Sequence, residues 1–144
     1  MPVALVSRVR SRDLRPTKLR RTAQRLLDAA GCPKASLSIT LVGDAAIRKL
    51  NREYRHKDRS TDVLSFPLGD GAQKQLLGDV VISVATAKRQ AAEYDATLER
   101  EIERLLIHGI LHLLGHDHHE RSERLRMERE ERRLARSIGM PWPY

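Results

Sequence analysis

Apolar positions recur along this chain with two periods, and the periods divide it into strands and helices. In residues 36–42 (SLSITLV) the period is two: Leu37, Ile39 and Leu41 face one way, as in a half-buried strand. Residues 3–9 (VALVSRV), 62–66 (DVLSF, ended by Pro67) and 78–84 (GDVVISV) predict three more strands. Elsewhere the period lengthens. Leu19, Ala23, Leu26, Leu27 and Ala30 stand at helical spacing, so a helix opens at Pro16 and stops at Gly31. Gly43 and Asp44 cap a short helix to about Tyr54, with Ile47 and Leu50 inward. A helix follows over about 85–95, and a longer one runs from Thr97, its N-cap, to about Leu114. The last helix, about 119–138, is almost all charge. Its expected side-chain pairs are Glu120–Arg124 and Glu128–Arg132, and its expected apolar contacts are Leu125, Met127, Leu134 and Ile138. Residues 55–61 and 69–76 are loops. This order predicts an α+β fold, a small mixed sheet with helices packed on it, in a single domain over 1–144.

Composition narrows the picture. The chain has five aromatic residues, Tyr54, Phe66, Tyr94, Trp142 and Tyr144, so the core is aliphatic. Folds that stack bases on an aromatic sheet surface are disfavoured. Net charge is +8, and it is uneven. Residues 1–60 hold 15 Lys/Arg against 5 Asp/Glu, and residues 61–144 hold 12 against 14. Such a bias attracts polyanions. Cys32 stands alone, which excludes an intrachain disulfide and suits a reducing cytosol. No apolar run approaches the roughly 20 residues of a membrane span, and the first residues lack a cleavage site. A soluble, cytoplasmic protein is expected. The closing MPWPY is an apolar tail placed to fold back on the domain.

The chemistry is concentrated in one segment, HGILHLLGHDHHE, which holds five of the six histidines. His108 and His112 are four apart, one turn above each other on one helix face. Gly115 can take the left-handed conformation and end that helix, bringing His118 back toward the same point. Three neutral nitrogen ligands leave a fourth tetrahedral position open, the pattern of a catalytic rather than a structural zinc. Bound zinc lowers the pKa of its water from 15.7 to about 7. In the zinc-protease signature H-E-x-x-H a glutamate follows the first histidine as general base, whereas here Gly109 stands there. His116 and His119 read as exposed loop residues, either of them being an alternative ligand. Asp117 either orients an imidazole by accepting its second N–H or caps the last helix. Arg55, Lys57 and Arg59 form a basic cluster before the strand at 62–66. The guanidinium fork of Arg55 matches phosphate oxygens; its alternative is a surface ion pair with Glu53 or Asp58. Lys57 and Arg59 are candidate phosphate contacts. Asp62 either holds Arg55 or caps the strand, and Asp79 serves a turn or faces the cleft.

The histidine segment, together with LNREYRHKDRSTDVLSFP at 50–67, LGDVVIS at 77–83 and the ending Pro143–Tyr144, resembles the YbeY family of metal-dependent endoribonucleases, also called rRNA maturation factors. The resemblance runs over nearly the whole chain after the first 15 residues. It implies a zincin-like α+β fold with a mixed four-stranded sheet and the metal site on a central helix. It implies His108, His112 and His118 as ligands of one divalent ion per chain, zinc being the expected one. Arg55 falls on the family's functional arginine. Single-stranded RNA is the implied substrate, with small-subunit rRNA maturation and ribosome quality control as the role, and the ribosome or its assembly proteins as partners. His116 stands where many relatives have tyrosine. Two other readings remain: a metallohydrolase such as a peptidase, and a non-catalytic RNA-binding assembly factor with a stabilising metal.

Overall fold

The structure is a computed structural model and describes residues 3–68, 76–117 and 119–142. Its elements are β1 (Val3–Ser7), α1 (Pro16–Ala29), β2 (Ser36–Val42), α2 (Asp44–Arg55), β3 (Val63–Pro67), β4 (Leu76–Ser83), α3 (Val84–Glu93), α4 (Leu98–Leu113) and α5 (Arg121–Ser137). The strands form one sheet in the order β1-β2-β4-β3. β1, β2 and β4 are parallel, and β3 runs antiparallel on β4. The expected mixed four-stranded α+β sheet is therefore present.

Boundaries differ in a few places. β1 stops at Ser7, not Val9. Pro67 does not stop β3 but is its last residue, opposite Gly78. An edge strand tolerates proline because the missing N–H falls on the unpaired side. β4 begins at Leu76, inside the span expected as a loop; the rest of that span, 69–75, lies outside the described residues. In α5, Leu125 is exposed, and Met127, Leu134 and Ala135 are the buried residues. Glu120–Arg124 and Glu128–Arg132 do not pair among the described residues; Arg133 binds Glu130 instead and also donates to the Ala29 carbonyl at 2.7 Å. The tail does fold back: Met140 is buried and Trp142 packs on the core.

The sheet is covered unequally. Leu37, Ile39, Leu41, Val80 and Ile82 point toward α1 and α4 and form the main core. On the other face Val42, Leu64 and Val81 pack under Ile47 of α2, with Leu50 and Phe66 at the margin. Helix α4 is central, packed against α1, α3, α5, β3 and β4. Ile102, Leu105, Leu106, Ile107 and Ile110 are fully buried. Each such side chain contributes about 1.5–3 kcal/mol of burial, which fixes the rotation of the helix. The Thr97 side chain accepts the Arg100 N–H at 3.1 Å and caps its start. Its end is a Schellman turn. Gly115 takes φ +96, its N–H donates to the His112 carbonyl, and the His116 N–H donates to the Leu111 carbonyl, each at 3.0 Å. This turn delivers His116 and Asp117 to the mouth of the site.

Candidate active site

A cleft of about 830 Å³ opens between the C-terminal end of α4, the edge strand β3 and the loop after α2. Its lining includes His108, His112 and His116 from the end of α4 and the turn after it, and Arg55, Lys57 and Arg59 from the end of α2 and the loop after it. The sequence motifs, some fifty residues apart, thus meet across one space.

His108 and His112 are half-buried, and their Nε2 atoms lie 3.1 Å apart. The rings meet edge to face at 4.6 Å and 75°. A tetrahedral ion bound at about 2.0–2.1 Å to two nitrogens keeps them about 3.3 Å apart, so the pair fits a shared ion with little movement. Behind the cleft, Glu131 Oε2 lies 3.6 Å from His108 Nδ1. His118, the expected third ligand, lies outside the described residues. Among the described residues no third His, Cys, Asp or Glu completes a metal-binding group with the pair. His119 is highly exposed and contacts the Asp117 carboxylate at 3.2 Å. Asp117 does not cap α5, whose N-cap is Glu120.

Gly109 explains the departure from the protease signature. A Cβ built there would stand 2.8 Å from Val80 Cγ1 and 3.2 Å from Ser65 Oγ. Its carbonyl accepts a hydrogen bond from that Ser65 hydroxyl at 3.2 Å. Here α4 lies close against the sheet, and a glutamate has no room.

Arg55 sits on the last turn of α2, exposed to solvent. Its Nη2 donates to the Ser65 carbonyl at 2.7 Å, and its guanidinium carbon lies 5.8 Å from the Phe66 ring centre. Tyr54 packs edge-on against the same ring at 5.4 Å. Neither alternative ion partner holds Arg55. Asp58 is taken by Arg48 at 2.9 Å and Arg52 at 3.8 Å, and no carboxylate pairs with Arg55 among the described residues. That Arg48 contact also holds the Asp58 carboxyl below its ordinary range. Lys57 and Arg59 are likewise exposed on the cleft wall with no ion-pair partner among the described residues. Asp62 caps β3, accepting the Val63 N–H at 2.8 Å, and its other oxygen faces Gln90 at 3.3 Å; it does not hold Arg55. Asp79 stands within β4 opposite Phe66 and is not a turn residue.

Two residues that support the site, one in the cleft and one behind it, have no role in the motifs. Asn51 is buried; its side-chain amide donates to the Arg59 carbonyl at 2.9 Å, and its backbone carbonyl accepts the Lys57 N–H at 3.2 Å. It clamps the basic loop. The signal was its place four residues after Ile47, on the inward face of α2. Glu131 is the other. It lies between Met127 and Leu134 on the buried stripe of α5, where a carboxylate is unexpected.

Comparison with known proteins identifies the family and the fold. The family described as endoribonuclease YbeY matches residues 7–139. The endoribonuclease YbeY of Geobacter metallireducens is 44% identical over 141 residues, covering 93% of each chain. That of Aquifex aeolicus is 46% identical over 125 residues, covering 85% of this chain and 83% of the other. The solution structure of TM1509 from Thermotoga maritima superimposes with a TM-score of 0.62 at 24% identity, over 94% of this chain and 91% of that one, which establishes the shared fold. No helix among the described residues is long and apolar enough to cross a membrane. With the family matched over most of its length and relatives similar nearly end to end, the chain belongs to the endoribonuclease YbeY family.

Proposed function

We propose that this chain is a metal-dependent endoribonuclease that cuts single-stranded RNA in the cleft between α4 and the loop after α2. Family membership supplies the reaction class. The observation that carries the rest is one cleft lined both by two adjoining imidazoles and by three cations without carboxylate partners among the described residues. In this reading His108, His112 and His118 hold one divalent ion, zinc being the expected one. Such an ion, when bound, supplies Lewis-acid chemistry at a phosphate oxygen and activates water. Arg55 is already tethered to the β3 edge through Ser65 and offers its remaining N–H groups to charge developing on the phosphodiester. Lys57 and Arg59 hold neighbouring phosphates, and Asn51 keeps their loop in place. Following the family resemblance, we take small-subunit ribosomal RNA as the substrate, ribosome quality control as the setting, ribosomal or assembly proteins as partners and the cytoplasm as the place.

A peptidase reading fits this cleft poorly. A peptide substrate adds to a free sheet edge. Here Arg55 occupies the Ser65 carbonyl on that edge, Pro67 has no N–H to offer, and Gly109 leaves no room for the protease base.

The test compares wild type and His112→Ala, purified identically, on labelled single-stranded RNA with and without a chelator. Cleavage by the wild type alone, stopped by the chelator, supports the reading. Equal cleavage by both proteins overturns it. RNA binding and metal binding without cleavage on free or ribosomal RNA moves the protein to the assembly-factor reading. A 2′,3′-cyclic phosphate among the products would identify the RNA's own 2′-hydroxyl as nucleophile.

A further inference from the structure

Helix α5 carries seven arginines, and among the described residues Glu131 pairs with none of them. Its Oε2 lies instead 3.6 Å from His108 Nδ1. The Glu131 side chain is 12% exposed, so solvent screens this contact little. The fold sets the position. Met127 and Leu134 are buried on the face of α5 that meets α4, and Glu131 falls between them at helical spacing. On the other side of the ring, His108 Nε2 faces His112 Nε2 at 3.1 Å. His108 is thus held between a carboxylate and a second imidazole.

We infer that Glu131 is a positioning residue that keeps the ring proton of His108 on Nδ1 and so turns the Nε2 lone pair into the cleft. A neutral imidazole has one N–H and one lone pair. An ionised carboxylate only accepts, so it favours the tautomer with the proton on its own side. At 3.6 Å the contact is an ion–dipole attraction rather than a hydrogen bond. With His108 fixed in this way, its Nε2 is the acceptor and the His112 Nε2–H the donor in the 3.1 Å contact. The two rings then carry opposite tautomers in the metal-free protein. Of the two rings, only His112 then has to change for an ion to load, because His108 already presents its ligating form. The metal half of this inference rests on the proposed function; the tautomer half does not.

The test uses the full chain stripped of metal. Long-range 1H–15N spectra of the histidine rings are compared for wild type, Glu131→Gln and Glu131→Ala, and zinc is then titrated against a chromophoric chelator. In the wild type His108 should hold its proton on Nδ1. Glu131→Gln keeps an acceptor oxygen and should keep that tautomer, with zinc binding weakened several-fold by the lost charge. Glu131→Ala should give mixed tautomers and weaken zinc roughly 10–100-fold. Unchanged tautomer and zinc affinity in Glu131→Ala overturn the inference, and a lowered melting temperature with both unchanged assigns Glu131 to packing alone. If the alanine variant does not fold, wild-type zinc affinity in Glu131→Gln overturns it equally. His112→Ala binding zinc as tightly as wild type would remove the metal reading and leave the tautomer result standing.

Discussion

In the N-terminal half of α4, Glu99, Glu101 and Glu103 are all buried, and each faces a cation. Glu99 accepts from Arg15 at 2.9 Å and Lys18 at 3.1 Å. Glu101 grips Arg104 with both oxygens, and Glu103 lies 3.6 Å from Arg100. In the C-terminal half, His108 and His112 turn toward each other and line a cleft together with Arg55, Lys57 and Arg59. One helix thus buries polarity in two ways. Where each charge is answered in place, the group ties α4 to its surroundings. Where two imidazoles meet beside a cleft, the pair is placed to take a ligand. Burial alone does not separate the two, since the glutamates are the more deeply buried.

The comparison breaks most visibly at its two strongest points. Glu101→Ala leaves Arg104 partly buried without its carboxylate and should cost about 3–5 kcal/mol of stability, read from denaturant midpoints. Zinc affinity of the remaining folded fraction should not change. His112→Ala should do the reverse. Loss of several kcal/mol of transition-state stabilisation lowers RNA cleavage about a hundredfold or more, with a near-native melting temperature in the metal-free protein. If Glu101→Ala abolished zinc binding in folded protein, the halves would not be independent.

Arg55→Ala comes next. It removes charged donors worth about 1.5–3 kcal/mol each where they meet charge, so cleavage should fall about 10–100-fold. Arg55→Lys keeps the charge but not the fork, and should recover only part of the loss. Stability should change little, because the side chain is exposed. A melting temperature lowered as far as in Glu101→Ala would make Arg55 a structural anchor. Gly109→Ala probes the joint between the wall of histidines and the sheet. Its Cβ meets Val80, and the cost should be about 1–3 kcal/mol with no peptidase activity gained.

What could be read from the sequence follows the same division. β2, α1 and α4 were legible because their apolar positions keep one period from end to end, and β2 was placed to the residue. The histidine pair and the basic loop were legible because each is compact in sequence. Glu99 was not, since a polar residue in a helix reads as its solvent face until its partners, Arg15 and Lys18, are brought from 80 or more residues away; Glu101 and Glu103 were not, since pairs with Arg104 and Arg100 three residues along the same helix look like solvent-face pairs. Leu125 misled for the converse reason: on a highly charged helix an apolar residue looks like a core contact, yet the buried stripe is Met127, Leu134 and Ile138 with Glu131 inside it. Arg55 was legible as a candidate, but its tether to Ser65 depends on the antiparallel edge strand and has no signal in its own neighbourhood.

The finest test sets two of the buried glutamates against each other. Hydrogen bonding from Arg15 holds the Glu99 carboxyl below its ordinary 4.5, with Lys18 adding to the effect. Glu99 therefore contributes stability above its unfolded pKa and loses it as pH falls through the lowered folded value. Burial pushes Glu103 above the same ordinary 4.5, against the pull of Arg100 and Lys18. Its contribution is full below the unfolded pKa and is lost as pH rises through the raised folded value. At neutral pH Glu99→Gln should lower the melting temperature and Glu103→Gln should raise it, and both differences should shrink as the pH falls toward about 3.5. Because Glu99 is itself one of the charges raising Glu103, the double variant should differ from the sum of the singles. Two shifts of the same sign would mean that the N-terminal half of α4 is compensated as one cluster rather than carboxylate by carboxylate.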